Sequence, residues 1–137
     1  MNAVHILFKT SRFNLSKVGE HFISPCCFGE DLAYWLRLRL EEKNMPADEP
    51  NQEDWGWGLP VTNRRDSYYL GLSGNADAPG TNPNEGEWRI IIEKRRSIWQ
   101  RLAGRGRIAW DDEMVGLLEQ ILFNESSIAN VHRVASE

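Results

Sequence analysis

Three stretches of the chain alternate apolar with other residues at period two, and they limit what it can fold into. Trp55, Trp57, Leu59 and Val61 alternate with Gly56, Gly58 and Pro60. Tyr68, Leu70 and Leu72 alternate with Tyr69 and Gly71, and Trp88, Ile90 and Ile92 with Arg89, Ile91 and Glu93. Period two puts one set of side chains on each face of a strand. The polar stretch Asn63 to Asp66 joins the first two runs and predicts a hairpin. Three consecutive isoleucines at 90 to 92 predict a central strand covered on both faces. Val4, Ile6 and Phe8 give a further strand at the start of the chain, and Ile128 to Val134 a last one at a sheet edge.

Helical spacing marks two main segments. Leu32, Leu36 and Leu40 recur every four residues between Phe28 and about Asn44, with Glu30 and Asp31 in the first turn and Asn44 as a left-handed exit. Met114, Leu117, Leu118, Ile121 and Leu122 form the apolar stripe of a second helix. Asp111 is its expected N-cap, with a Trp110–Val115 staple. Ser97 to Leu102 predicts a short extra helix. Ser73 to Gly86 is rich in Gly, Pro and Asn and reads as a long flexible loop. Strands in succession with few helices predict an α+β fold. The expected architecture is one domain over residues 1–137, a two-layer sandwich with a mostly antiparallel sheet of four to five strands and both main helices on one face.

The 137 residues suffice for one core without disulfides or a structural metal. No apolar run approaches the ~18 residues of a membrane span. The N-terminus lacks the basic, apolar and small-residue succession of a signal peptide. A cytoplasmic protein is therefore expected, without membrane partner or cofactor. The net charge of -4 argues against uniform charge-driven binding to nucleic acid.

Charge is nonetheless segregated. Lys94, Arg95, Arg96, Arg101, Arg105 and Arg107 fall within fourteen residues that hold no acid, so this segment carries +6 and the remainder -10. As a function, this cluster reads as an anion site for phosphate, nucleotide or nucleic acid, with Trp99 for stacking. The alternative is a solvated basic face paired with the acidic loop Asp48 to Asp54. Glu53, Asp54, Trp55, Gly56 and Trp57 combine carboxylates with aromatics, either as a loop entering a core strand or as a recognition surface. Gly56 and Gly58 are expected to leave the opposite strand face open. Six tryptophans exceed what a core of this size needs, so one or two belong at a surface. Cys26 and Cys27 precede a helix, where a thiol becomes more acidic, which makes them candidates for a reactive thiol with His21 as base. Adjacent cysteines chelate poorly and no second pair exists, so no metal site is expected. His5 and His132 meet only if the first and last strands are neighbours. No Walker, dinucleotide or nucleophile-elbow motif is present.

From Phe13 onward the chain resembles a group of small bacterial proteins known only as hypothetical. The resemblance is carried by Arg12 to Ser16, the helix around Leu36, Glu53 to Trp57, Tyr69 to Gly71, Glu87-Trp88 and Lys94 to Leu102. It covers most of the chain, is most specific at Glu53 to Trp57 and Arg96 to Trp99, and implies no activity. Its pattern lacks Cys26 and Cys27.

These features point to a non-enzymatic protein-binding module, of which a bacterial immunity protein or antitoxin is one form. Its contact candidates are Glu53, Asp54, Trp57 and the loop Asp77 to Glu85. The alternatives are a nucleotide or nucleic-acid binder using the arginine cluster, and a small enzyme using Cys26 or a carboxylate. The edge strands are compatible with a monomer or a homodimer.

Overall fold

A computed structural model describes residues 3–23, 27–63, 66–77, 82–95, 102–103 and 107–135. Its elements in chain order are β1 (Val4–Thr10), α1 (Glu30–Glu42), β2 (Asn51–Glu53), β3 (Gly56–Thr62), β4 (Ser67–Ala76), β5 (Gly86–Arg95), α2 (Glu113–Phe123) and β6 (Ala129–Ala135). The fold is α+β, with one six-stranded antiparallel sheet in the order β2-β3-β4-β5-β1-β6. The sheet is larger than the expected four to five strands. The addition is β2, a three-residue strand in a polar segment with no alternation to betray it. The final strand, β6, lies at the sheet edge as expected.

Register explains the core. Leu59 faces Leu70, Leu70 faces Ile92, and Ile92 faces Val4. The next row runs from Trp57 through Leu72 and Ile90 to Ile6. All these side chains are buried, Leu59, Leu70, Leu72, Ile90, Ile92, Val4 and Ile6 completely. Each such aliphatic side chain contributes about 2 kcal/mol of hydrophobic stabilisation. Leu32, Leu36 and Leu40 of α1 and Met114, Val115 and Leu118 of α2 join the same buried cluster. Ile91 faces the other way and is only partly buried, so β5 is central by position but is not sealed on both faces.

α1 starts at Gly29, whose φ of 137° suits glycine, and no side chain caps it. Its exit is as the sequence predicts. Asn44 has φ 60°, its N–H bonds to Glu41 O, and the Met45 N–H reaches Leu40 O, which is a Schellman closure. α2 begins one residue later than expected. Asp112, not Asp111, is the N-cap, and its carboxylate accepts from Met114 N at 2.9 Å. The staple positions thereby fall on Asp111 and Gly116, neither of them hydrophobic, so the expected Trp110–Val115 staple is out of register. Trp110 is 42% exposed and lies under the Arg133 guanidinium, 5.6 Å from its ring centre.

The expected loop from Ser73 to Gly86 is shorter. β4 continues to Ala76, pairing Ser73 with Arg89 and Ala76 with Gly86. Its glycines are compatible with this because Gly74 has Trp88's ring above it, where a Cβ would come within 2.7 Å. The short helix expected from Ser97 falls mostly outside the described residues.

Candidate functional site

The sheet face opposite the buried cluster carries the residues between the core positions. Across it, Tyr69 of β4 pairs with Glu93 of β5, and Gly71 pairs with Ile91, which pairs with His5 of β1. Leu7 pairs with Arg89 on one side and His132 on the other. Asn51 and Glu53 of β2 extend this face beyond Gly58 and Gly56.

The ends of two aromatic side chains lie over glycines here. A Cβ on Gly58 would fall 1.7 Å from the Tyr69 hydroxyl, and one on Gly71 would fall 2.7 Å from Trp55 Cη2. The glycines therefore seat aromatic rings rather than leave the face open. Trp55 sits in the β2–β3 turn, is 45% exposed, and has left the face of Trp57, Leu59 and Val61 on which period two places it. The turn, Asp54 and Trp55, breaks the count because β3 begins only at Gly56.

The Tyr69 hydroxyl donates to Glu53 Oε1 at 2.6 Å and accepts from Asn51 Nδ2 at 3.1 Å. Asn51 Nδ2 also reaches Glu53 Oε1 at 2.9 Å. Burial first, then the hydrogen bond to Glu53, raises the Tyr69 pKa, so the phenol keeps its proton and remains the donor. The Arg95 guanidinium stacks on Tyr69, 4.9 Å from the ring centre. Glu53, Trp55, Tyr69, Gly71, Ile91 and Glu93 together bound a groove of about 420 Å³.

A larger hollow of about 850 Å³ opens between the end of α1, the β3–β4 turn and the start of α2. Among the described residues its lining contains no aromatic side chain, and three of its polar side chains hold the scaffold. Asn63 Nδ2 donates to Glu113 Oε1 at 3.0 Å, and Asp66 pairs with Lys94 at 3.5 Å. The smaller groove has the chemistry of recognition, an aromatic and aliphatic floor between carboxylates.

The sequence candidates separate. Glu53 lines the groove. Asp54 is exposed in the turn, with its carbonyl oxygen 3.0 Å from Cys27 Sγ. Trp57 is 5% exposed and donates its indole N–H to Cys27 O at 3.1 Å, so it anchors the loop before α1 and offers no contact surface. Cys27 is disulfide-bonded and presents no thiol, while Cys26 lies outside the described residues. His21 pairs with Glu30 at 2.6 Å. Of the basic cluster, Arg95 borders the groove and Arg107 is exposed, while Lys94 lies between Asp66 and Asp112 rather than beside the acidic loop. Arg96, Trp99, Arg101 and Arg105 lie outside the described residues. Of the loop Asp77 to Glu85, Asp77 N bonds to Glu85 O at 2.8 Å, and residues 78–81 lie outside the described set. Trp55, Tyr69, Ile91 and Glu93 were missed as site residues. For the last three the signal was present, since Tyr69 and Ile91 each sit between two inward-facing positions of a period-two run and Glu93 follows the last such position, Ile92.

His5 and His132 occupy neighbouring strands, yet each bonds elsewhere. Arg89 Nη1 donates to His5 Nδ1 at 2.8 Å, and His132 Nδ1 lies 2.8 Å from Asn130 O. Burial and then the Arg89 charge lower the His5 pKa below 6.5, with Glu93 opposing. The folded state thus resists protonation that the unfolded chain accepts. His5's contribution is fully present above about pH 6.5 and is lost as the pH falls through the lower folded value. Urea midpoints should therefore drop between pH 7 and pH 5, and His5→Gln should flatten that part of the profile. An unchanged slope in the variant would remove His5 as the cause.

Among the described residues, no group of three or more His, Cys, Asp or Glu is arranged to hold a metal ion, and no helix is long and apolar enough to cross a membrane. No family model, curated protein or solved structure matches this chain.

Proposed function

We propose that this chain is a non-enzymatic, cytoplasmic protein-binding module. In this reading it is a two-layer protein, with both helices on one face of the sheet and the contact surface on the other. The observation that carries it is the half-exposed Trp55 ring laid on Gly71 beside Tyr69 and Ile91. A large aromatic held by packing loses little entropy on binding, and such residues dominate interface energetics. Glu53 and Glu93 on the rim favour a basic partner and speed encounter with it. An immunity protein or antitoxin that blocks a basic surface is a concrete form of this function.

The test compares the intact chain with Trp55→Ala as bait in a lysate from its source cell. One stoichiometric protein partner should survive moderate salt, and Trp55→Ala should weaken it by at least about tenfold without changing the circular dichroism. A partner held equally by both proteins would exclude this face. Recovery of nucleic acid alone, lost on adding salt, would replace the reading with the arginine-cluster alternative.

A further inference from the structure

The groove beside Trp55 has a definite chemical preference. We propose that it accepts one organic cation, the guanidinium or ammonium head of an arginine or lysine side chain on the partner protein. This rests on the protein-binding reading and specifies what enters the groove.

Charge is the first argument. Among the described residues lining the groove, the ionisable side chains besides the Tyr69 phenol are Glu53 and Glu93, both carboxylates, with Arg95 at the border over Tyr69. An anion would be repelled there, and a neutral apolar group would strip water from two carboxylates without replacing it. A cation satisfies both rims.

The carboxylate is also held before a ligand arrives. Glu53 accepts from Tyr69 at 2.6 Å and from Asn51 at 2.9 Å, both at Oε1. These bonds hold Oε1 in place, which reduces the ordering cost of binding.

The aromatic wall supplies the third argument. A cation is attracted to the face of an aromatic ring, most strongly to tryptophan. The border of the groove already holds such a pair, with Arg95 over Tyr69 at 4.9 Å. Trp55, 45% exposed, lines the same groove. The space of about 420 Å³ suits one long side chain rather than a helix. Arg95, and Arg89 further along β5, oppose a second cation, so the site takes a single head group of modest affinity.

The experiment titrates Nα-acetyl-arginine amide into the full chain and follows the Trp55 indole N–H by NMR, assigned with Trp55→Phe. Saturable binding with a Kd on the order of 10 mM is expected for one cation–aromatic contact and exposed ion pairs. The uncharged isostere Nα-acetyl-citrulline amide should bind about tenfold more weakly, and Glu93→Gln should weaken the arginine probe about threefold. Equal binding of the citrulline probe, insensitivity to Glu93→Gln, or no saturation would each overturn the cation assignment. A Trp55-dependent protein partner alongside any of those results would leave the protein-binding reading standing. Cation binding without such a partner would do the reverse.

Discussion

Asp112→Ala should destabilise the protein by about 3 kcal/mol, far more than an ordinary helix cap. Asp112 does three things at once. Its Oδ1 accepts from Met114 N at 2.9 Å, capping α2, and from the Tyr68 hydroxyl, also at 2.9 Å. Its Oδ2 lies 3.6 Å from Lys94 Nζ. Losing the cap costs about 1 kcal/mol. Leaving the Tyr68 hydroxyl, on a residue 1% exposed, without its acceptor adds about 2 kcal/mol. Lys94 keeps Asp66 at 3.5 Å, so the ion pair adds little. Asp112→Asn retains a capping oxygen and should cost about 1 kcal/mol, as should Tyr68→Phe, which removes the donor with its need. Urea midpoints at constant m-value give the comparison. A loss for Asp112→Ala no greater than for Tyr68→Phe would show that the buried hydroxyl does not depend on this carboxylate.

The same residue shows how far the sequence could be read. Asp111 and Asp112 are adjacent, and either residue is chemically able to cap α2. Local preference could not choose between them. The choice is made by Tyr68, a residue 44 positions away whose hydroxyl needs an acceptor at that corner. Alternation, by contrast, was legible wherever one strand ran without interruption. Tyr68, Leu70 and Leu72, and Trp88, Ile90 and Ile92, all face the core as their spacing implies. The count failed at Trp55 because that residue lies in the turn itself, before β3 begins at Gly56, and a turn residue does not keep the strand's face. It failed at Ser73 to Ala76 because composition alone made a strand extension look like a loop. The groove itself was half visible. Its members occupy the off-core positions of their strands, but only register brings Tyr69 beside Glu93 and Gly71 beside Ile91.

Glycine positions offer the second large effect, with a built-in ranking. Gly56→Ala should cost about 3 kcal/mol or more, because its Cβ would fall 2.1 Å from the carbonyl oxygen of Leu72. That oxygen is backbone of a central strand and cannot withdraw without pulling β4 away from its neighbours. Gly58→Ala meets the end of a side chain instead, the Tyr69 hydroxyl at 1.7 Å. The ring can swing aside, at the expense of its hydrogen bonds to Glu53 and Asn51, so a cost of about 1–2 kcal/mol is expected. The groove would then lose its fixed carboxylate, and any Trp55-dependent affinity should fall with it. Gly116→Ala is the control. It lies within α2 with nothing within 4 Å of the added methyl, so it should stabilise the protein by about 1 kcal/mol through helix propensity alone. The order Gly56, Gly58, Gly116 from most to least destabilising can be read from thermal or urea midpoints. Equal costs at Gly56 and Gly58 would mean that Tyr69 is as immovable as the sheet backbone, making the groove a rigid part of the core. A larger cost at Gly58, together with lost partner binding, would make the Tyr69–Glu53 pair the structural keystone of this face.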